Sequence, residues 1–391
     1  MKKIAFIGYN DSANCMTEYS QAINQHCDEF ESKSICIESH PILYSIPHDY
    51  DIQSSNVEQR NEIKEWLMEC SHIIIGEEMR CNFPDMSFIL NNSITEILGV
   101  PNFIKNKLGL DLVLDTLAGR TNKLHLYYTG SFYRSRSHIF NIIGGKYFDK
   151  VLYGIDLYRL SWNEDNPKRT QTFSFPDTYS FKNNLAIHVA CDPLYKKEIL
   201  KDLIETKFNS DKILIFHATT SKTSKGTDII TKITEEVIKE INLISPITYQ
   251  LITTENYSPL KETIKNGWVP HKEIMKIKEQ SHIYIDEFNP SVGYFGVSGV
   301  ESLMMGNITM ATINNLTPES EISSNSHLTP PGSCPVIHLG ENPEQFKQIL
   351  KETLNKPLSE LKELAYQSLE WYFKTSTYKA VATKFKKEIL I

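Results

Sequence analysis

Short apolar runs that end in a glycine or a polar residue recur along the first half of the chain. Lys3–Gly8 reads KIAFIG and His72–Gly76 reads HIIIG, while Glu58–Cys70 between them has the spacing of a helix. Short apolar strands that alternate with helices pair in parallel and carry helices on both faces of the sheet. The first half is therefore predicted to be a doubly wound α/β domain. Its other predicted strands are Ser34–Ile37, Leu124–Tyr128 and Lys150–Tyr153.

The same alternation returns in the second half. Lys212–His217 reads KILIFH and predicts a strand, and the isoleucines of Thr227–Leu243 fall on one face of a helix. Open parallel sheets bind ligands at the carboxyl ends of their strands, so two such halves predict a ligand in the cleft between them. The remaining predicted elements are Ile247–Ile252, His271–Gln280, His282–Asp286, Val297–Met305, Ile308–Ile313, Val336–Leu339 and a helical region over Pro343–Ile391.

The alternation of predicted strands and helices is interrupted between the two halves. Trp162–Asn184 is polar, contains two prolines and has no clear period, which is typical of a linker or hinge. We therefore expect an N-terminal Rossmann-like domain over residues 1–180 and a C-terminal Rossmann-like domain over residues 181–370. A C-terminal helix is expected over residues 371–391.

Composition narrows the class of protein. The 391 residues, 40% of them hydrophobic and 23% charged, are typical of a soluble globular protein with room for two domains. A formal charge of -7 argues against a general nucleic-acid binder. The seven cysteines include no CxxC pair, so neither a disulfide framework nor a zinc site is indicated.

The chain start and the apolar runs bear on localisation. The opening MKKIAFIGYN has too short an apolar stretch for a signal peptide. No apolar run reaches the roughly 18 residues of a membrane-spanning helix. We therefore expect a cytoplasmic protein.

A lysine pair lies on the loop that follows the KILIFH strand. Phe216–Asp228 reads FHATTSKTSKGTD and leads into the next helix. The unpaired amides and the positive dipole at a helix start favour an anion, and Lys222 with Lys225 would add two charges, which suits a diphosphate. The alternative is a solvated lysine pair on a surface loop.

A second candidate segment is Ile285–Gly306. A strand ends in a glycine-bearing loop, and Glu301 follows about one turn into the next predicted helix. A carboxylate placed there could accept hydrogen bonds from both hydroxyls of a ribose. The alternative is a glutamate that caps the helix or interacts with its dipole.

These two segments together resemble the C-terminal domain of retaining, nucleotide-sugar-dependent glycosyltransferases of the GT-B fold, most closely glycosyltransferase family 4. Lys222 stands at the position of the family's diphosphate-binding arginine, and Lys225-Gly226 matches its Lys-Gly pair. Glu301 matches the family's ribose-binding glutamate, and Gly306 matches the glycine that comes between this helix and the next strand. The similarity covers Lys212–Leu339, about a third of the chain.

The resemblance implies further site residues and a division of labour. The first half would bind the acceptor, the second half the donor, and the final helix would cross back to the first domain. The family's additional glutamate is replaced by Gly293, so its contact with the sugar is unassigned. The implied catalytic residues are Lys222, Lys225 and Glu301, and the implied donor-binding residues are Gly8, His217, Gly226, Gly293, Tyr294, Phe295, Gly296 and Val297.

A loop in the first half completes the set. Thr129–Arg134 follows a predicted strand and is similar to the family's His-Gly-Ser…Arg loop, with Thr129 in place of the histidine. Gly130, Ser131 and Arg134 are therefore assigned to the acceptor side or the cleft. The alternative is an ordinary strand-to-helix turn with a surface arginine.

The sequence therefore predicts a metal-independent glycosyltransferase that moves a sugar, with retention, from a nucleoside diphosphate sugar to a glycan, a lipid-linked or another acceptor. No metal is expected, since no HxH, HxxxH or convincing DxD motif occurs, and no cofactor is expected beyond the nucleotide-sugar co-substrate. A lipid-linked acceptor would bring peripheral membrane association. One alternative is a nucleotide-sugar epimerase using Glu77 and Glu78, and the other is a non-catalytic sugar-binding subunit.

Overall fold

The computed structural model contains two parallel β-sheets, each accompanied by helices. The residues that the structure describes are 1–8, 11, 14–38, 46–76, 99–110, 123–128, 169–174, 184–186, 190–191, 195–219, 222–257, 263–264, 269–289, 295–313, 334–388 and 390.

The first sheet belongs to the N-terminal half. Its strands are β1 (Lys2–Gly8), β2 (Phe30–Cys36), β3 (Tyr50–Asp51), β4 (Cys70–Gly76), β5 (Lys123–Tyr128), β6 (Arg169–Ser174) and β7 (Asn184–Ala186). They lie in the order β3-β2-β1-β4-β5-β6-β7, and all neighbouring pairs are parallel. The direction in which strands are added reverses between β1 and β4, and the crevice outside such a reversal is where open α/β sheets bind ligands.

Two of these strands correct the sequence interpretation. We predicted a linker over Trp162–Asn184, yet β6 lies inside that segment and pairs with β5. Strand β7 then pairs with β6, so the first sheet extends past residue 180. The run RTQTFS is polar by hydropathy but contains β-branched and aromatic residues that favour strands. The predicted strand Lys150–Tyr153 lies outside the described residues.

Three helices are described with this sheet: α1 (Cys15–His26), α2 (Val57–Glu69) and α3 (Gly99–Leu108). Asn56 begins α2 with a capping box, in which its side chain accepts from the amide of Gln59 at 2.9 Å. Asp11 caps the start of α1 in a similar way, because its carboxylate accepts hydrogen bonds from the amides of Met16 and Thr17 at 2.6 and 2.9 Å. The start of helix α1 is therefore held by a side chain that lies shortly after the end of β1.

The second sheet confirms the predicted parallel α/β unit. Its strands are β8 (Lys212–His217), β9 (Thr248–Thr253), β10 (Ile283–Glu287), β11 (Ile308–Ala311) and β12 (Ile337–His338). They lie in the order β12-β11-β10-β8-β9, again with parallel pairs. The reversal falls between β8 and β10, so the loops that leave these two strands border a single crevice.

The helices described in the second half are α4 (Lys197–Lys207), α5 (Lys222–Lys225), α6 (Thr227–Ile241), α7 (His271–Gln280), α8 (Val297–Met304), α9 (Pro343–Leu354), α10 (Leu358–Thr375) and α11 (Tyr378–Glu388). Of these, α5 follows β8 and α8 follows β10, so each lies on a loop that borders this crevice. At the end of α4, the buried Lys207 amino group donates to Ser281 O, Met305 O and Asn307 Oδ1 at 2.9, 2.8 and 2.7 Å. Burial lowers the pKa of Lys207 to about 7.

The last helix packs against the first half of the chain. Phe385 of α11 makes edge contacts with the rings of Phe6 and Tyr19, with centroids 5.7 and 5.1 Å apart. The Tyr378 hydroxyl donates to Glu18 of α1. No helix in the described part of the chain is long and apolar enough to span a membrane.

Candidate functional site

The candidate site lies at the carboxyl ends of β8 and β10, where the second sheet reverses its order. The segment after β8 forms the single turn α5, which ends at Lys225. The amide of Phe288, just beyond β10, donates to Lys225 O at 3.0 Å. This bond fixes the backbone of the lysine loop against the loop that follows β10.

Gly226 makes that close approach possible. Its φ is 70°, the left-handed region that favours glycine. A Cβ at this position would lie 2.1 Å from Phe288 O. The Lys-Gly pair that the sequence singled out therefore has a steric reason within this chain, because the glycine lets the loop carry Lys225 to the end of β10.

Lys225 is held by two carboxylates. Its Nζ lies 3.2 Å from Asp286 Oδ2 and 3.0 Å from Glu287 Oε2. Both carboxylates are fully buried, while 25% of the lysine side chain is exposed. Burial acts to lower the pKa of Lys225, but the two carboxylates outweigh it and hold the pKa above its usual range. The lysine therefore stays charged, and one face of it is open.

Asp286 also holds the start of α8. The amide of Gly296 donates to Asp286 Oδ2 at 2.7 Å. A Cβ on Gly296 would lie 3.7 Å from Lys225 Nζ, so the lysine amino group sits close to the helix start. A positive side chain and the positive end of a helix dipole thus meet at one point.

Glu301 lies one turn into α8 and takes part in a buried network. Its Oε1 is 2.6 Å from His271 Nε2, and its Oε2 accepts from Lys278 Nζ at 2.6 Å. Burial acts to raise the pKa of Glu301, but Lys278 and His271 outweigh it and hold the pKa well below its usual range. Both oxygens are thereby fixed in orientation, and the group is a carboxylate at any physiological pH.

The same network reaches the loop after β8. Lys278 Nζ also donates to Ser298 O and Oγ at 2.8 and 2.7 Å. The Tyr284 hydroxyl donates to Ala218 O at 3.1 Å and lies 2.7 Å from Ser298 Oγ. Helices α7 and α8 and strand β10 are therefore tied together beneath the site.

The resemblance implies that His217 binds the nucleotide sugar, but the contacts of its ring in the structure are with other residues of the protein. Its Nδ1 donates to Ile285 O at 2.8 Å, and its Nε2 accepts from the hydroxyl of Thr227 at 2.9 Å. Both ring nitrogens are therefore used within the protein, where they join β8, β10 and the start of α6. A direct contact of His217 with a donor remains a prediction.

The other lysine of the pair lies at the surface. Lys222 Nζ forms an ion pair with Glu255, and 61% of the lysine side chain is exposed. The hydrogen bond that Lys222 donates to Glu255 raises the pKa of the lysine. Of the two lysines, Lys225 pairs with buried carboxylates at the end of β10, whereas Lys222 pairs with an exposed carboxylate at the surface.

The remaining site predictions divide into two groups. Phe295 is buried and its ring lies 6.0 Å from that of Trp371, so its side chain is part of the core. Val297 is the first residue of α8, and Gly8 ends β1 in the other half. The predicted site residues that lie outside the described part of the chain are Gly293, Tyr294, Gly130, Ser131 and Arg134, together with Glu77 and Glu78 of the epimerase alternative.

Sequence reasoning missed four residues of this site: Asp286, Glu287, His271 and Lys278. An acidic pair at the end of a buried strand is a signal that could have found the first two. His271 and Lys278 give no comparable signal, because a charged helix residue is usually solvated. Within the described residues, no three His, Cys, Asp or Glu side chains come together as a metal site would require.

Several solved structures share the arrangement of both halves. A sucrose-phosphate synthase from Thermosynechococcus elongatus is similar with a TM-score of 0.57 and 10% identity, over 99% of this chain and 98% of that one. An alpha-glucosyltransferase in complex with UDP and a DNA 13-mer has a TM-score of 0.52 and 10% identity, over 100% of both chains. A UDP-forming trehalose-phosphate synthase from Burkholderia xenovorans has a TM-score of 0.50 and 8% identity, over 99% and 98%.

The sequence comparisons give no such relatives. No family model matches the chain, and no curated protein matches it. The structural similarity at this low identity defines the fold. The chain has the GT-B architecture, two Rossmann-like α/β domains built on parallel sheets.

Proposed function

We propose that the protein is a glycosyltransferase that moves a sugar from a nucleoside diphosphate sugar to a glycan, a lipid-linked or another acceptor with retention of configuration. The observation that carries the proposal is the meeting of Lys225 with the amino-terminal end of α8 at the reversal point of the second sheet. The structures with a similar fold include enzymes whose names describe the use of sugars or UDP.

Lys225 suits the diphosphate of such a donor. An ammonium group has three N–H donors, and two of them point to Asp286 and Glu287. Among the described residues the third has no acceptor, so it is available to a phosphate oxygen at the positive end of the α8 dipole. The amide of Gly296 is already bonded to Asp286. When the sugar leaves, negative charge develops on the diphosphate, and fixed positive groups at that place stabilise it. We propose transfer without a metal ion, with Lys225 and the start of α8 as the groups that bind the leaving diphosphate.

Glu301 suits the ribose of the donor. A carboxylate offers about four lone-pair directions, and Lys278 and His271 occupy one on each oxygen. Among the described residues nothing occupies the other direction on each oxygen, and these two directions match the two hydroxyls of a ribose. The second half would then bind the donor and the first half the acceptor, and closure of the two halves would exclude water during transfer.

The proposal is tested by the release of nucleoside diphosphate from a panel of UDP-, GDP- and ADP-sugars, with and without methyl glycosides as acceptors. We expect release that depends on both partners and persists in excess EDTA. NMR of the product should show the anomeric configuration of the donor. Interconversion of donor epimers without transfer would favour the epimerase, and donor binding without any turnover would favour a sugar-binding subunit.

A further inference from the structure

A second polar cluster lies in the first half of the chain, around the first turn of α1. We call it the α1 cluster; its members are Asp11, Asn14, Thr17 and His48. Asp11 is buried and its Oδ2 accepts from the Thr17 hydroxyl at 2.7 Å. His48 Nδ1 lies 2.8 Å from Thr17 Oγ1 and 3.5 Å from Asp11 Oδ2.

These contacts determine which nitrogen of His48 carries the hydrogen. A carboxylate only accepts, so the single hydrogen of the Thr17 hydroxyl is directed to Asp11. Thr17 Oγ1 must then accept from His48, which places the hydrogen on Nδ1. In the neutral ring the lone pair is therefore on Nε2, the nitrogen on the far side from Asp11. No group in the described part of the chain donates a hydrogen bond to that nitrogen, and 14% of the side chain is exposed.

Asn14 provides a second acceptor in the α1 cluster. Its Nδ2 donates to Ile46 O at 3.1 Å, which identifies the other amide atom as oxygen. That Oδ1 is buried and has no hydrogen-bond partner among the described residues, and only 3% of Asn14 is exposed. Asn14 and Asp11 have φ values of 60° and 46°, which is uncommon for residues other than glycine. A buried acceptor without a donor points to a ligand that donates hydrogen bonds.

The position of the α1 cluster matches that of a ligand site. Asp11 follows β1, and a Cβ on Gly8, the last residue of β1, would lie 3.0 Å from Asp11 Cα. This is the carboxyl end of the strand at which the first sheet reverses its order. The two acceptors of the α1 cluster, His48 Nε2 and Asn14 Oδ1, lie near this end of the strand. A sugar has hydroxyl groups that donate hydrogen bonds to acceptors of this kind.

We propose that His48, positioned by Thr17 and Asp11, binds a hydroxyl group of the acceptor sugar through Nε2. This inference rests on the proposed function, which assigns the acceptor to the first half. Thr17 and Asp11 act as positioning residues, because they hold the ring in the form whose Nε2 carries no hydrogen and can accept one. His48 would thus contribute to acceptor affinity and leave donor binding unaffected.

The first test observes the ring directly. Methyl glycosides of glucose, galactose, mannose and N-acetylglucosamine are titrated into protein labelled with ¹⁵N-histidine, with the His48 signals assigned by comparison with His48→Asn. We expect at least one glycoside to shift the Nε2 signal while Nδ1 keeps the chemical shift of a protonated nitrogen. An unprotonated Nδ1, or no response of Nε2 to any of the four, would overturn the inference.

The second test uses two substitutions that divide the ring's functions. His48→Asn keeps an N–H donor near the place of Nδ1 and removes Nε2, whereas His48→Gln keeps an amide oxygen near the place of Nε2. For the glycoside that shifts His48, we expect His48→Asn to weaken binding about ten-fold and His48→Gln to retain most of it. Equal weakening by both, with a matching loss of thermal stability, would show that His48 only supports the fold.

Calorimetry with UDP, GDP and ADP separates this inference from the proposed function. If none of them binds to the wild-type protein, the proposed function fails. If one binds equally to the wild-type protein and to both variants while the glycoside response is absent, only the assignment of His48 fails.

Discussion

Lys225 Nζ lies 3.2 Å from Asp286 Oδ2, and this ion pair joins the loop after β8 to the end of β10. The same aspartate oxygen accepts from the amide of Gly296, at the start of α8. One carboxylate therefore sets the positions of Lys225 and of the start of α8, the two features that we assign to the diphosphate. The proposed nucleotide-sugar site therefore depends on Asp286, a fully buried side chain that does not itself contact the nucleotide sugar in our proposal.

This arrangement predicts unequal effects for the two lysines on stability. Lys225→Ala would leave Asp286 and Glu287 buried without their cation, and breaking a buried ion pair costs about 3 kcal/mol at the lower end of the known range. Lys222→Ala removes an exposed pair with Glu255 and should leave stability almost unchanged. Urea unfolding measures both variants. Equal unfolding free energies would contradict the role of Lys225 as a structural cation.

Gly226→Ala should destabilise the protein mainly through a steric clash. The new Cβ would lie 2.1 Å from Phe288 O, in addition to the cost of a positive φ, for a total of about 3 kcal/mol or more. Gly109→Ala is the matched control, because Gly109 has the same φ of 70° but only Lys64 Nζ, at 3.9 Å, near the added atom. The control should cost about 1 kcal/mol. A similar loss for both variants in thermal unfolding would show that the approach to Phe288 is not tight.

Glu301→Gln should reduce discrimination between ribose and deoxyribose. The amide accepts fewer hydrogen bonds than the carboxylate, and an interaction with a charged group of this kind is worth about ten-fold in affinity. Calorimetry compares the nucleoside diphosphate that binds best with its 2′-deoxy form. The preference for the ribose form should shrink in the variant. An unchanged preference together with a lowered melting temperature would assign Glu301 to the support of α8 alone.

The pair of His271 and Glu301 predicts a dependence of stability on pH. Burial acts to lower the pKa of His271, but the charge and hydrogen bond of Glu301 outweigh it and raise the pKa above its usual value. Because the folded state binds the proton more tightly, the stabilisation is complete below about pH 6.5. It is lost as the pH rises through the pKa of the folded state.

The difference in unfolding free energy between the wild-type protein and His271→Asn measures this effect. The difference should be largest on the acid side of the ordinary histidine pKa and should decline at higher pH. A difference that does not change with pH would mean that the pair with Glu301 contributes no proton-linked stability.

Much of the fold could be predicted from the sequence, because most strands are short apolar runs. Helix α7 has the same bounds in the structure, His271–Gln280, as in the prediction. Strand β6 could not be found in this way. Its residues are largely polar, and it is recognised by its pairing with β5, a long-range relationship that hydropathy does not record.

The site was predicted less completely than the fold. The Lys-Gly pair and Glu301 are visible in the sequence because each lies within about one turn of a helix start. The partners that hold Glu301 are not visible, since His271 and Lys278 are 30 and 23 residues away and meet it only after folding. The α1 cluster depends similarly on His48, which is 31 residues from Thr17.

The central claim is that Lys225 and the start of α8 bind the diphosphate of a nucleotide sugar. Calorimetry in excess EDTA, with UDP, GDP and ADP and their nucleosides, tests it most directly on the wild-type protein and Lys225→Ala. One diphosphate should bind more tightly than its nucleoside, and Lys225→Ala should reduce the affinity for that diphosphate about ten-fold while the nucleoside is bound as before. Equal losses for both ligands, or no preference of the wild-type protein for the diphosphate, would contradict the claim.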